Sequence, residues 1–550
     1  MRKAEARAFA AGIAEQTLME EAGAGVAKYV RECWPGAGVA VVFAGKGHNA
    51  GDALVLAGHL QEAGWQVELR LAWPEETLRP LAALQLAAVR ERVTFAAVDA
   101  IAVPPGRPLL LVDGLLGIGV EGPLRGDAAH AVRALNALRQ REHAVTVAVD
   151  LPSGLGGDPE PVVADVTITL GWPKDLLFTD DAAAFVGRLV LVPLTGLPGL
   201  EEGKGRDVLV TAAGLRSRLL PRPAFAKHKG QGGRIGIVAG SAGLTGAARL
   251  ASSAAVRMGG GLVTLFCPHN VYDILAASCP PEVMVRAVSS CQEVREFPLD
   301  AVGIGPGMGS APLPLLAELL WHDPRPMVVD ADALNALAAG SRSGRAAVSF
   351  AGPRLLTPHP GELARLVGAW KPAWADRPRR EQAAALVEAL EVTLLAKSAR
   401  SFVMERGRPA AWNGTGHPLM ARGGMGDVLT GFLTTFIAQG MPLYEAAALG
   451  SWGLGRGAEL YQLATGWEEP GLASEVMYYA AGAAMAELRA GCKSNPEKAG
   501  SRLTDSPWPS PPASIALPPS RRPSSCGLNI DPALRSAHSE GIPGLGLPPS

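Results

Sequence analysis

The sequence has little of what would mark it as secreted, zinc-stapled, membrane-spanning or nucleic-acid-binding. Only six cysteines occur in 550 residues: Cys33, Cys267, Cys279, Cys291, Cys492 and Cys526. None forms a CxxC pair or a Cys/His cluster at zinc-site spacing, which excludes a disulfide framework or structural zinc as the organising principle. Such dispersed thiols read as buried or idle groups of a reducing compartment. Excess charge is missing too. The formal net charge is −1 and the basic residues are scattered, which argues against a nucleic-acid partner. No uncharged apolar run reaches the roughly 18 residues that a membrane-crossing helix requires. The stretch Met1 to Ala14 lacks a long apolar core and carries Glu5, unlike a signal peptide. A cytoplasmic enzyme is the expectation that remains.

Hydrophobic residues make up 48% of the chain and charged residues 19%, enough to bury a substantial interior. The length exceeds one ordinary core and predicts two or three domains. Short apolar runs such as Val39–Phe43, Leu109–Val112, Val145–Val149 and Val166–Leu170 alternate with alanine- and leucine-rich helical segments. That alternation is the pattern of a parallel α/β sheet covered on both faces. It pauses at Leu194–Gly205, a Gly/Pro-rich linker, and restarts at Arg234–Val238. It ends near Ala490. Residues 491–550 are dense in Pro, Ser and Gly without periodicity and read as a disordered tail carrying no chemistry. The predicted domains are 1–200 and 222–490.

In the first half three strand ends carry polar residues. The first runs into Gly45-Lys46-Gly47-His48-Asn49-Ala50-Gly51-Asp52, a glycine-rich turn entering a helix. Such a turn lets backbone N–H groups approach an anion, but a tight turn capped by Asp52 explains it equally well. Its spacing matches neither a dinucleotide fingerprint nor a Walker loop. The second runs into Asp113 and the loop Gly114–Pro123; the third into Asp150-Leu-Pro-Ser153-Gly154. Carboxyl ends of neighbouring parallel strands share one crevice, so these groups should converge.

The second half repeats the logic with other motifs. In order come His228–Arg234, Gly240–Ala247, Gly305–Gly309, Asp330–Asn335, Thr357–Glu362 and Lys397-Ser398, each a turn signal after or before a strand-like run. Then comes Ala421-Arg-Gly-Gly-Met-Gly-Asp427-Val-Leu-Thr-Gly431, entering an apolar helix. Glycine N–H groups at a helix start suit a transferring phosphoryl group, and an aspartate there can take the proton of an attacking hydroxyl. The plainer alternative is an aspartate that merely favours the helix dipole.

Residues from about Met1 to Leu194 resemble the NAD(P)H-hydrate epimerase family, through Gly45–Asp52 (GxGNNGGD), Val112–Gly119 (VDxLxGxG) and Val149–Gly154 (VDxPSG). Residues from about Arg222 to Ala490 resemble the ADP-dependent NAD(P)H-hydrate dehydratases, a branch of the ribokinase-like fold. HKGxxGR, GSxxxTGA, GPGxG, DADALN, LTPHPGE and GGxGDVLTG follow in family order. The resemblance implies two Rossmann-like three-layer domains, the second ribokinase-like. It implies repair of hydrated NADH and NADPH: epimerisation of the R and S hydrates, then ADP-dependent dehydration of the S hydrate to NAD(P)H, AMP and phosphate.

Carried over residue by residue, the resemblance places a potassium ion at Asn49, Asp113 and Ser153, and Asp150 as the epimerising acid/base. The hydrate would lie against His48, Asn49, Ala50, Gly51, Asp52, Gly117, Ile118, Gly119, Val120, Glu121, Gly122 and Pro123. In the second domain the S hydrate would touch Ala247, Gly307 and His359, with Asp427 catalytic. The nucleotide would lie near Lys397, Ser398, Ala399, Arg400, Ser401 and Gly426, with Mg2+ bridging its phosphates. A homo-oligomer is compatible with both halves. The chain departs from the family at His48 (for asparagine), Ala50 and Ser398 (for glycine) and Met425 (for threonine). A positive φ at Ala50 would strain the first loop. The competing enzyme reading is a ribokinase-like kinase of a vitamin-type alcohol, with a non-catalytic N-terminal binding module.

Overall fold

The computed structural model describes residues 2–119, 122–197, 207–217, 225–226, 228–309, 313–340, 350–466 and 471–490. The linker residues 198–206, Val120, Glu121 and the 491–550 tail lie outside them. The described residues form two α/β sheets, as the alternation of runs predicts.

The first sheet contains β1 (Val39–Ala44), β2 (Gln66–Leu71), β3 (Thr94–Phe95), β4 (Leu109–Gly114), β5 (Val145–Val149), β6 (Val166–Leu170) and β7 (Arg188–Val192). Their spatial order is β3-β2-β1-β4-β5-β6-β7, with every neighbouring pair parallel. All six residues of β1 and of β4 are buried. That is why these strands read as continuous apolar runs instead of alternating ones. Helix His48–Glu62 packs closely over them. A methyl carbon on Gly114 would sit 2.3 Å from the Ala53 Cβ, so glycine is what allows that approach.

The second sheet begins with β8 (Val208–Val210), β9 (Arg234–Val238), β10 (Leu262–Cys267), β11 (Val283–Ala287) and β12 (Ala301–Ile304). It continues with β13 (Met327–Val329), β14 (Arg354–Leu356), β15 (Thr393–Ala396), β16 (Phe402–Met404) and β17 (Ala411–Asn413). The order is β11-β10-β9-β12-β13-β14-β15-β16-β17-β8. Only β16 runs against its neighbours. Strand β8, which follows the undescribed linker, thus closes the far edge beside β17.

Two helices under this sheet touch backbone to backbone. A Cβ on Gly431, in helix Met425–Ala438, would lie 2.2 Å from the Ala251 carbonyl oxygen of helix Thr245–Arg257. Small residues at this crossing bring the two helix starts together. Phe432, Leu433 and Val428 are fully buried beneath, each worth roughly 1.5–3 kcal/mol against exposure.

The two sheets meet along β7. Leu189 N–H donates to the Gly414 carbonyl at 3.0 Å, and Arg188 pairs with the buried Glu459 at 2.9 Å. Arg188 also donates to the Tyr29 hydroxyl, so one guanidinium links both domains. Of the cysteines, Cys267 and Cys291 are buried, Cys33 and Cys279 half-buried, and none of these four is in a disulfide; Cys492 and Cys526 lie outside the described residues. No described helix is long and apolar enough to cross a membrane.

Candidate active sites

The first site sits where β1, β4 and β5 end together. Register pairs Ala44 with Gly114 and Asp113 with Ala148, so the loops after these strands share one edge. Asp113 is fully buried. Its Oδ1 accepts from the Ser153 hydroxyl at 2.7 Å and Leu115 N–H at 3.1 Å; its Oδ2 accepts from Ser153 N–H at 2.8 Å. Burial outweighs these bonds and pushes the carboxyl up to about 6. Asn49 donates through Nδ2 to the Leu116 carbonyl at 3.0 Å, while its buried Oδ1 has no hydrogen-bond donor. Gly45 lets Leu115 come close, since a Cβ there would be 1.9 Å from its carbonyl.

Asn49, Asp113 and Ser153 are therefore brought together around Leu116. An orphaned amide oxygen, a carboxylate, a hydroxyl and nearby carbonyls are the donor set of a hard monovalent cation. The residues present fit potassium.

Asp150 lies beyond β5 with φ at 67°, a left-handed conformation unusual for aspartate. Its carboxylate accepts from Leu170 N–H at 3.1 Å and from the Lys174 ammonium. Lys174 also donates to the Leu170 carbonyl at 2.9 Å and the Thr169 hydroxyl at 3.2 Å. Sequence reasoning missed this lysine. It follows a strand with no motif of its own, although the unpaired-looking Trp172-Pro-Lys174 turn after an apolar run was a usable signal. Asp52 faces the same group: burial raises its carboxyl well above the usual range, the Asp150 charge adds to this, and Lys174 opposes it.

The remaining hydrate contacts divide. A cleft of about 240 Å³ is lined by Gly117, Ile118, Gly122, Leu151, Lys174 and Leu176 among others. Gly117 lies over Asn49, where an added Cβ would be 3.6 Å from the asparagine Cβ. Gly119 closes a turn onto the Gly117 carbonyl at 2.8 Å, and Pro123 follows on the loop. His48 points outward and meets Glu15 at 3.1 Å. The feared strain at Ala50 is corrected: the residue lies inside helix His48–Glu62, fully buried, without positive φ. The helix begins at His48, inside the stretch that reads as a glycine-rich turn ending at Asp52, so Ala50 and Gly51 are helical. Gly51 packs against the end of the Met19 side chain, 2.4 Å from where a Cβ would stand.

The second site lies at the ends of β12 to β15, which register pairs Ile304 with Val329 and Val329 with Leu356. Asp330 is buried and accepts from Lys397 Nζ at 2.6 Å, Thr357 Oγ1 at 2.7 Å and Thr430 Oγ1 at 3.1 Å. Three strand ends and one helix thus converge on one carboxylate. Helix Met425–Ala438 starts at Gly424, with φ at 94°. A Cβ on Gly426 would approach Lys397 Nζ to 3.3 Å and Asp330 Oδ2 to 3.4 Å. Asp427 follows at this start. Burial and the Asp330 and Asp332 charges raise its carboxyl to about 6, against the pull of Lys397.

Ala247 and Gly307 are in close contact: a Cβ on Gly307 would be 2.8 Å from that of Ala247. His359 caps helix Pro360–Trp370, accepting from Gly361 N–H at 3.1 Å, and its Nε2 is 3.4 Å from Glu362. Ser398 and Ala399 are exposed, but Arg400 is buried, its guanidinium turned to the Gly187 carbonyl.

Comparison with known proteins follows this division. Residues 15–176 match the family described as YjeF-related protein N-terminus, and residues 235–476 the family described as NAD(P)H-hydrate dehydratase. A bifunctional NAD(P)H-hydrate repair enzyme of Coxiella burnetii is 34% identical over 82% of this chain and 91% of its own length. One from Moorella thermoacetica is 38% identical over 62% of this chain and 67% of its own. The solved ADP/ATP-dependent NAD(P)H-hydrate dehydratase of Bacillus subtilis, co-crystallised with ATP and Mg2+, is 25% identical. That structure covers 52% of this chain and is itself covered completely, with a TM-score of 0.45.

Proposed function

The chain belongs to the bifunctional NAD(P)H-hydrate repair enzymes, and from that premise we propose how its residues divide the work. The first domain interconverts the R and S hydrates, and the second dehydrates the S hydrate.

In the first domain Asp150 is the acid/base. Its carboxylate is held by Lys174, which lines the cleft, so a proton at the stereocentre has an acceptor whose charge is balanced in place. The orphaned Asn49 Oδ1 supports a potassium ion held by Asn49, Asp113 and Ser153. When bound, that ion supplies positive charge beside the substrate loop. Gly117, Ile118 and Gly122 shape the cleft around the hydrate, with Asn49 packed against Gly117.

In the second domain Asp427 takes the proton of the C6 hydroxyl. The hydroxyl oxygen bonds to the terminal phosphorus of ADP and AMP leaves. The C6–O bond of the phosphate ester then breaks as the ring loses a proton, restoring the dihydropyridine and releasing phosphate. The N–H groups at Gly424–Gly426 and the Lys397 ammonium balance charge on the moving phosphoryl group. Among the described residues no three His, Cys, Asp or Glu side chains cluster to hold a metal. Magnesium therefore enters this reading on the phosphates of the nucleotide.

The observation carrying the second assignment is Asp427, with its carboxyl raised to about 6, at a helix start where Gly426 touches Lys397 and Asp330. The test is NADH regeneration from separated R and S hydrates with ADP. Asp427→Asn should abolish turnover of both hydrates. Asp150→Asn should slow the R hydrate alone. Equal R-hydrate rates in wild type and Asp150→Asn would overturn the first assignment.

A further inference from the structure

The departure of the Lys397–Ser401 loop from the family pattern has a structural counterpart in the other domain. Ser398 stands where glycine is usual, and its hydroxyl is the centre of a small network. It receives the Arg400 N–H at 2.9 Å and a guanidinium N–H of Arg379. Ser401 closes the turn, donating to the Ser398 carbonyl at 2.9 Å and accepting from Ser398 N–H at 3.1 Å. Arg379 also donates to the Arg400 carbonyl at 2.7 Å, so it holds the loop at two points.

Both arginines then reach out of their own domain. Arg379 donates to the Asp180 carboxylate at 2.9 Å. Arg400, with 2% of its surface exposed, donates to the Gly187 carbonyl at 2.6 Å, and its Nε has no partner. Burial lowers its guanidinium to about 10. Such an arginine is costly to bury and stays only because backbone geometry supports it. Gly187, with φ at 57°, is fixed in turn, since a Cβ there would strike the Asp165 carbonyl at 2.3 Å. Between these anchors, Phe178 packs on Trp412 at 5.2 Å between ring centres.

We infer that the epimerase-domain segment from Asp180 to Gly187 positions the nucleotide loop of the dehydratase through Arg379 and Arg400. These are positioning residues: they act on ADP through the loop backbone and the Ser398 hydroxyl. The segment begins a few residues after Lys174, the partner of Asp150, so one stretch of chain borders both sites. The inference rests on the reading that places the nucleotide at residues 397–401.

The test uses the full chain. In wild type, adding ADP should slow amide hydrogen exchange at residues 397–401; no protection there overturns the nucleotide placement itself. Asp180→Asn frees one end of Arg379 from an exposed carboxylate and leaves the fold intact. It should raise the KM for ADP about three- to tenfold, the loss of one charge-assisted hydrogen bond. The kcat and the KM for the S hydrate should not change, and Asp180→Glu should restore the wild-type value. Arg400→Met should act in the same direction. Protection at 397–401 with an unchanged KM for ADP in Asp180→Asn overturns the inference and leaves the nucleotide placement standing.

Discussion

Lys174, which lines the first cleft, donates its ammonium to the Asp150 carboxylate from 24 positions further along the chain. The ammonium is also tied to the Leu170 carbonyl and the Thr169 hydroxyl, so it is fixed in place. It therefore holds the Asp150 carboxylate in one orientation. Lys174→Gln should lower R-hydrate turnover about 10²- to 10⁴-fold, the usual scale for disabling a general acid/base. Dehydration of purified S hydrate should be unaffected. R-hydrate turnover equal to that of the wild type would show that Lys174 serves packing alone.

Asp427 predicts a pH limit for the other half. The base must be ionised, and its carboxyl is raised to about 6. As pH falls through that value the protonated, inactive form fills. The kcat/KM for S hydrate should be flat above about pH 7 and fall about tenfold per pH unit below about 5. An Asp330→Asn substitution removes a like charge and should shift this limb downward.

Potassium should stabilise the first domain. With choline as the only monovalent cation, adding KCl at constant ionic strength should raise the melting temperature. Asn49→Ala deletes the orphaned oxygen and should remove that increment. An equal increment in both proteins would locate the ion elsewhere.

Gly431→Ala tests the helix crossing under the second site. Its methyl carbon would meet the Ala251 carbonyl at 2.2 Å, so the helices must part. Overpacking of this kind costs about 1–3 kcal/mol, readable in a denaturant melt. Dehydratase activity should fall as well, because the same helix carries Asp427 in its first turn.

Much was legible before folding. Residues between turn signals gave strands close to the observed ones: Val145–Val149, Val166–Leu170 and Arg234–Val238 stand at the expected ends, and Leu109–Val112 extends by two residues. Fully buried parallel strands must be apolar throughout, and that constraint is local in sequence. The convergence of Asn49, Asp113 and Ser153 was readable for the same reason, since the ends of adjacent parallel strands share an edge.

Three features needed the tertiary structure. Ala50 is unstrained because the helix starts at His48, and where a helix begins depends on what it packs against. Lys174 reaches Asp150 only because β6 lies beside β5. Arg379 and Arg400 are ordinary in sequence, and they join the domains only because β7 docks at Gly414. Burial patterns and strand-end chemistry are written along the chain, so the sequence alone determined the α/β class and the clustering of the strand-end polar groups. Pairings across loops and domains depend on distances that only packing sets, and these were decided by the fold.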